Sequence, residues 1–301
     1  MTTKQAPIGS GFGERSTAEE VLRGIDLKGK TAIVTGGYSG IGTVTTKALV
    51  EHGARVIVPA RRKEAAEKEL AGTPNVEVEE LDLGDLESVK RFADRMLEKD
   101  RAIDLLILNA GIMACPETRI GPKKWEAQFA TNHLGHYALA NRLWPLLVKS
   151  GARVVSLSSR GHKFSPVRFE DPMFEKEPYD KWKAYGQAKT ANVLFAVGID
   201  DRGQKSGVRA FAVHPGGIAT PLARHLSMEE MTAMGMYDEN GKLAERFKTP
   251  EQGAATTLWA ATSPKLEGMG AVYCEDGDVG ALSSSPATAA KPGEKRPPLG
   301  V

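Results

Sequence analysis

Cysteine, net charge and long apolar runs are all in short supply in this chain of 301 residues. The two cysteines, Cys115 and Cys274, cannot form a disulfide framework, and no zinc-ligand spacing surrounds them, which indicates a reducing compartment and no metal site. Forty basic and 38 acidic side chains give a net charge of +2, which argues against binding to nucleic acid or lipid headgroups. No apolar run approaches the roughly 18 residues of a membrane span, and residues 1–16 lack the apolar core of a secretory signal. We therefore expect a soluble, cytoplasmic protein.

Short runs rich in β-branched residues alternate with longer segments of helical periodicity from Thr31 onward. The runs predicted as strands are Thr31–Gly36, Arg55–Ala60, Val76–Asp82, Asp104–Gly111, Arg153–Ser159 and Arg209–Gly216. The segments predicted as helices are Ile41–His52, Lys63–Ala71, Leu86–Lys99, Lys123–Lys149 in one or two pieces, and Trp182–Asp201. This alternation predicts an α/β fold, a doubly wound parallel sheet with helices on both faces.

One domain accounts for most of the chain, because no repeat or linker divides it. Residues 1–27 form an N-terminal extension, polar and rich in glycine, with a short helix over Ser16–Arg23 that Ser16 would cap and Glu19 would support. Residues 28–280 form the α/β domain. Residues 281–301 form a low-complexity tail of Ser, Pro and Ala, which we expect to be poorly ordered or loosely draped.

A glycine-rich turn joins the first predicted strand to the first long helix. It contains Gly36, Tyr38, Ser39, Gly40, Ile41 and Gly42. Glycines at such a turn let a pyrophosphate approach the N–H groups at the start of the helix. The plain alternative is a tight strand–helix turn without a ligand. The position inside a β-α-β unit favours dinucleotide binding.

A second glycine pattern, Gly24–Thr31, fits the phosphate-loop motif of nucleotide triphosphatases. That motif needs a helix directly after its Lys-Thr pair. Here Lys30 and Thr31 lead into a predicted strand, so a triphosphatase is the least favoured function.

Basic residues follow the second predicted strand, where NAD-binding folds place an acid and NADP-binding folds an arginine. Ala60 is followed by Arg61, Arg62 and Lys63, and guanidinium groups pair well with phosphate. The alternative is that these basic residues are solvated at the start of a helix and bind no phosphate. We favour NADP(H), held by Arg61 first and Arg62 second, with NAD(H) as a second choice.

Tyr185 and Lys189 lie four residues apart, one helical turn, on a predicted helix. A phenol with a pKa near 10 becomes a useful proton donor and acceptor when a neighbouring cation lowers that pKa. A Tyr and a Lys at this spacing, with no other motif beside them, most often form a pair on the protein surface. Here Ser158 and Ser159 end a strand, Asn109-Ala110-Gly111 end another, and Asn132 lies in a long helix.

Together these residues resemble the short-chain dehydrogenase/reductase family from about Lys30 to Cys274. The matches are Thr35-Gly36 with Gly40 and Gly42, Asp82-Leu83, Asn109-Ala110-Gly111, Asn132, Ser159, Tyr185 with Lys189, and Pro215-Gly216 with Ile218 and Thr220. The segments Asn132–His136, Tyr185–Asn192 and Val213–Gly217 are similar to the retinol dehydrogenase-like and WW-domain oxidoreductase-like branch.

The resemblance implies a Rossmann-type oxidoreductase that interconverts an alcohol and a ketone or aldehyde. Tyr185 would be the acid/base, Lys189 would tune it and bind the nicotinamide ribose, Ser159 would bind the substrate oxygen, and Asn132 would hold a proton relay. Asp82, Leu83, Asn109, Ala110, Gly111, Pro215, Gly216, Ile218 and Thr220 would line the cofactor cleft. The resemblance also implies a homodimer or homotetramer through the helices that carry Asn132 and Tyr185. A non-catalytic NADP(H)-binding regulator on the same fold is the alternative.

The substrate side departs from the commonest family pattern. Ser159 and Tyr185 are separated by an insert, Lys163–Trp182, which we expect to wall the cleft. Residues 217–250 would form a substrate lid, in which Met228, Met231, Met234 and Met236 suit a small apolar carbonyl or alcohol. The alternative for this segment is an amphipathic helix packed on the body through Met228 and Met231.

Overall fold

A computed structural model describes residues 3–282 of the chain. The predicted tail therefore lies outside the described residues from position 283 onward. None of the helices between residues 3 and 282 combines the length and apolar content needed to cross a bilayer.

The strands form one large sheet and one short two-stranded ladder. They are β1 (Thr31–Val34), β2 (Arg55–Ala60), β3 (Val76–Glu80), β4 (Leu105–Leu108), β5 (Arg119–Ile120), β6 (Trp125–Glu126), β7 (Arg153–Leu157), β8 (Arg209–His214), β9 (Val272–Glu275) and β10 (Asp278–Val279). The large sheet has the order β10-β9-β8-β7-β4-β1-β2-β3, and β5 pairs with β6. All neighbours in the large sheet are parallel except β9 and β10.

The helices cover both faces of the large sheet. They are α1 (Ala18–Leu22), α2 (Ile41–Glu51), α3 (Lys63–Glu69), α4 (Leu86–Glu98), α5 (Ala127–Phe129), α6 (Gly135–Arg142), α7 (Trp144–Ser150), α8 (Lys181–Gly203), α9 (Met228–Ala233) and α10 (Pro250–Thr262). A π-helical turn, Ala130–Leu134, joins α5 to α6, and a 3-10 helix, Arg160–Phe164, follows β7.

Strand β1 shows why the sheet is buried on both sides. Its side chains alternate, so that Ala32 and Val34 enter the core under α1, α2 and α10, while Ile33 enters the core under α4, α6 and α8. The strand order reverses beside β1, which lies between β2 and β4. Sheets of this kind bind ligands outside the carboxyl ends of the strands at such a switch point. The predicted doubly wound α/β fold is confirmed.

Two helix predictions need correction. Helix α1 is capped by Thr17 and Glu20 instead of Ser16 and Glu19, because the Thr17 hydroxyl accepts from the Glu20 N–H. The long helix predicted from Lys123 begins only at Ala127, because the preceding residues pair as β6 and the Glu126 carboxylate caps the helix. Its division into two pieces is confirmed by the break between α6 and α7.

The N-terminal extension packs on the far edge of the sheet. The Gln5 side chain accepts from the N–H of Tyr273 in β9 at 2.8 Å and donates to its carbonyl at 2.9 Å. The Asp278 carboxylate accepts three backbone N–H bonds, each 3.0 Å, from residues 8–10. Arg15 donates to the carbonyls of Glu245 and Phe247 at the base of the predicted lid. This segment therefore ties β9, β10 and residues 245–247 together.

Candidate active site

The glycine-rich turn after β1 has the shape of a phosphate cradle. Gly36 and Gly40 have φ of +63° and +57°, a region that L side chains rarely adopt. Gly40 caps α2 without a side-chain hydrogen bond, so the first N–H groups of this helix of 11 residues have no side-chain cap. A Cβ at Gly42 would lie 2.2 Å from the Gly36 carbonyl oxygen, so the turn is too tight for any larger residue there. These features fit a dinucleotide pyrophosphate.

The turn after β4 is fastened to the glycine-rich turn. The Asn109 side chain donates to the Thr35 carbonyl at 2.9 Å, and the Ala110 N–H donates to the Thr35 hydroxyl at 3.0 Å. A Cβ at Gly36 would come within 3.0 Å of the Ala110 Cα. The structure thus brings the predicted residues Gly36, Asn109 and Ala110 into one wall.

The loop after β8 lies against the glycine-rich turn. Pro215, Gly216, Ile218 and Thr220 all lie in it, and a Cβ at Gly40 would be 3.4 Å from the Thr220 Cβ. Lys248, which the sequence analysis missed, packs against Gly216, whose φ is +97°. The Lys248 ammonium is buried and lies 2.6 Å from the Asp276 carboxylate, and the Lys248 backbone N–H donates to the Gly217 carbonyl. Lys248 therefore anchors this loop.

The remaining predicted cofactor residues lie at the ends of neighbouring strands. Asp82 and Leu83 follow β3, and the Asp82 Oδ1 accepts from the Gly84 N–H at 2.8 Å. Arg61 and Arg62 follow β2 and are exposed, and within residues 3–282 neither side chain makes a hydrogen bond or ion pair.

Asn132 lies in the π-helical turn and is fully buried. Its side chain accepts from the Ile112 N–H at 2.8 Å and donates to the Ile112 carbonyl at 2.9 Å. A Cβ at Gly111 would lie 3.3 Å from the Asn132 Oδ1 and 3.8 Å from the Lys189 Nζ. Asn132, Gly111 and Lys189 are therefore neighbours, as the sequence predicts.

The two serines after β7 have different roles. The Ser158 hydroxyl donates to the Lys189 carbonyl at 2.9 Å, which fixes α8 against the sheet. The Ser159 hydroxyl accepts from the Gly161 N–H at 3.0 Å and is hydrogen-bonded to Tyr185. Ser159, the serine chosen from the sequence, is thus the one beside the phenol.

Tyr185 and Lys189 are buried, with 3% and 5% of their surface exposed. The Lys189 Nζ lies 5.6 Å from the centre of the Tyr185 ring and donates to the Leu157 carbonyl at 3.0 Å. Burial lowers the pKa of Lys189 to about 8. Burial also raises the pKa of Tyr185 to about 12, against a smaller opposite effect of the Ser159 hydrogen bond. Burial therefore decides the direction of the shift, and the prediction that a cation lowers the Tyr185 pKa is wrong for the protein alone.

Asn192 supports this pair and was missed as a site residue. Its side-chain amide donates to the Leu157 carbonyl at 3.0 Å, so that oxygen accepts from both Asn192 and Lys189. The Asn192 Oδ1 lies 3.1 Å from the His133 ring nitrogen. The spacing of Tyr185, Lys189 and Asn192, four and then three residues, places all three on one helical face and could have revealed it.

Two other patterns from the sequence have no site here. Thr31 is the first residue of β1, so no helix follows the Lys30-Thr31 pair that the phosphate-loop motif requires. In residues 3–282 no three His, Cys, Asp or Glu side chains form a group that could hold a metal ion.

The family model for short chain dehydrogenases matches residues 30–231. The chain belongs to this family. A probable oxidoreductase from Streptomyces lividans is 46% identical over 260 residues, which cover 84% of this chain and 86% of the relative. Retinol dehydrogenase 14 from Mus musculus is 36% identical and covers 83% of this chain and 78% of its own length. The crystal structure of a putative uncharacterized protein from Mycobacterium Paratuberculosis superposes with a TM-score of 0.67 at 34% identity, covering 86% and 84% of the two chains.

Membership confirms the resemblance seen in the sequence. The chain is therefore an oxidoreductase of the short-chain dehydrogenase/reductase family, which binds nicotinamide cofactors, and it is similar to retinol dehydrogenases.

Proposed function

We propose that this chain is an NADP(H)-dependent oxidoreductase that interconverts an alcohol and a ketone or aldehyde, with Tyr185 as acid/base. The observation that carries the proposal is the burial of Tyr185 close to Lys189, whose ammonium neighbours Gly111 in the turn after β4. A non-catalytic NADP(H)-binding regulator would have no use for this proton-handling group.

The residues of the chain divide the chemistry in a simple way. The Ser159 hydroxyl hydrogen-bonds the substrate oxygen and orients it toward the Tyr185 Oη. In reduction the Tyr185 hydroxyl gives its proton to the carbonyl oxygen, and in oxidation the phenolate takes the alcohol proton. When bound, the nicotinamide supplies or accepts the hydride at the substrate carbon. Lys189 holds the ribose and, when charged, favours the phenolate.

The preference for NADP(H) rests on Arg61 and Arg62. Both guanidinium groups are exposed beyond the end of β2 and have no carboxylate partner among residues 3–282. A cation at the start of α3 opposes the helix dipole, so an anion beside it relieves that repulsion. A 2′-phosphate is such an anion.

An apolar substrate is supported by the insert and the lid. The insert packs along α8, where Gln187 contacts the backbone of Arg168 and Pro172. Met228 and Met234 of the proposed lid are 56% and 42% exposed, whereas Met231 is half-buried and Met236 is buried. Flexible thioether side chains at a cleft suit varied apolar ligands.

A homodimer or homotetramer is supported by an apolar surface on α6 and α8. Tyr137, Leu194 and Val197 are 50%, 53% and 42% exposed there. A second copy of the chain would cover them through the same two helices. The cytoplasmic location stays a prediction.

The function is tested with a panel of aldehydes, ketones and secondary alcohols, using NADPH and NADH and following nicotinamide absorbance. We expect turnover with at least one carbonyl, its loss in Tyr185→Phe, and unchanged NADPH affinity in that variant. Tyr137→Phe, which removes an exposed phenol, is the matched control. Tight NADPH binding without any turnover would replace the enzyme with the regulator.

A further inference from the structure

His136 is a buried histidine that the predicted roles do not include. It lies at the start of α6, with 1% of its surface exposed, one turn after Asn132. Its Nδ1 is 3.0 Å from the Asn132 carbonyl oxygen, and its Nε2 is 2.9 Å from the Thr35 hydroxyl. The ring therefore joins the π-helical turn to the end of β1.

The donor and the acceptor in each of these two hydrogen bonds follow from the chemistry of the groups. A carbonyl oxygen only accepts, so the His136 Nδ1 carries the proton. Burial lowers the pKa of His136 to about 3, so the ring is neutral and the Nε2 is an acceptor. The Nε2 therefore accepts a hydrogen bond from the Thr35 hydroxyl.

The Thr35 hydroxyl oxygen can then accept a hydrogen bond from another donor. The Ala110 N–H donates to it at 3.0 Å. The other acceptor within reach of the Thr35 proton, the Ile107 carbonyl, is 3.4 Å away and is the weaker partner. Without the His136 Nε2, the orientation of the Thr35 hydroxyl would lose its main determinant.

Asn132 consequently fixes Ala110 and Ile112, which flank Gly111, through two separate sets of hydrogen bonds. Its side chain holds both backbone groups of Ile112, while its carbonyl acts through His136 and Thr35 on Ala110. Gly111 lies between these two attachments, next to the Lys189 Nζ. Buried networks of this kind are rigid when every member is satisfied.

We propose that His136 is a positioning residue of the cofactor cleft, which orients the Thr35 hydroxyl and so holds the Ala110–Ile112 segment against the glycine-rich turn. This inference rests on the proposed cofactor binding. It assigns His136 no contact with substrate or cofactor.

Three single variants and one double variant test these hydrogen bonds by NADPH affinity, measured by fluorescence titration, and by melting temperature. Thr35→Val keeps the shape and removes the hydroxyl, and Thr35→Ser keeps the hydroxyl and is the matched control. His136→Asn keeps an amide donor near the Asn132 carbonyl but cannot reach Thr35. The double variant Thr35→Val/His136→Asn completes a cycle, because both changes break the same bond.

We expect Thr35→Val and His136→Asn each to weaken NADPH binding by about three- to tenfold, with Thr35→Ser near the wild type. The double variant should be little worse than the poorer single variant. A purely structural role would lower the melting temperature and leave the affinity of the folded protein within twofold, which would overturn the proposal, as would additive losses. If His136→Asn does not fold, His136→Gln takes its place in the cycle with Thr35→Val. If the wild type binds neither NADPH nor NADH, the proposed function fails and this inference falls with it.

Discussion

Gly161 lies directly against the ring of Tyr185, so closely that a Cβ at Gly161 would be 2.7 Å from the Tyr185 Cε1 and 2.9 Å from its Cδ1. Gly161 follows Ser159 by two residues and donates its N–H to the Ser159 hydroxyl. The phenol and the serine are thus positioned by the same short 3-10 helix.

Replacing Gly161 with Ala should displace the Tyr185 ring and lower kcat by at least tenfold, with NADPH affinity nearly unchanged. The reason is that a Cβ at that distance forces a ring in a packed site to move. Steady-state kinetics with the best substrate of the panel provide the measurement. Gly198→Ala, on the same helix as Tyr185, meets only the flexible end of Arg202 and should keep full activity. Equal kcat in both variants would contradict the packing argument.

Replacing Arg61 with Asp should reduce the preference for NADPH over NADH by at least tenfold. The change removes a guanidinium from the 2′-phosphate and adds a repelling charge. The ratio of the two dissociation constants is the measurement. Arg101→Asp makes the same charge change at an exposed position following α4, and should leave the ratio unaltered.

Replacing Lys189 with Met should abolish turnover and yet raise the free energy of unfolding at pH 7. The pKa of Lys189 falls from 10.5 unfolded to about 8 folded, so burying the charged form costs up to about 3 kcal/mol below pH 8. Between pH 8 and 10.5 the unfolded chain binds the extra proton, so this residue makes wild-type stability rise with pH in that window. Urea unfolding at pH 7 to 10 should show this rise reduced in Lys189→Met and retained in the exposed control Lys205→Met.

The rates of the two reaction directions should respond differently to pH. With a Tyr185 pKa of about 12, the phenol is protonated at neutral pH and ready to donate to a carbonyl. Alcohol oxidation needs the phenolate, whose fraction rises tenfold per pH unit below the pKa. Initial rates of oxidation should therefore climb between pH 7 and 9 while those of reduction do not. A flat oxidation profile would mean that another group sets the rate.

Replacing Leu194 with Asp should shift the protein toward the monomer. The substitution places a charge in the apolar surface of α6 and α8, where burial without a partner is costly. Light scattering after size-exclusion chromatography gives the mass. Phe169→Asp, 79% exposed on the insert, is the control. A wild type that is already monomeric would disprove the assembly.

Local patterns in the sequence were enough to single out residues that the fold then brings together. Tyr185 and Lys189 are one helical turn apart, and the glycine-rich turn stands between a clear strand and a clear helix. Gly161, Lys248 and His136 acquire their roles from contacts with residues distant in sequence, which no local pattern encodes. The direction of the Tyr185 pKa shift was mispredicted for the same reason, because it depends on how deeply the phenol is buried.

Residues 250–280 were not predicted as regular structure, and α10 shows why. Its residues from Gly253 to Ala261 are all buried, so no polar stripe marks its helical period. Strand β9 is only four residues long, and β10 only two.

The hydrogen bonds between Gln5 and Tyr273 join residues that are 268 positions apart in the sequence. During translation Gln5 is synthesised 268 residues before Tyr273, so the two can bind only after β9 has emerged from the ribosome. The edge of the sheet at β9 therefore gains its hydrogen bonds with Gln5 only after synthesis has passed Tyr273.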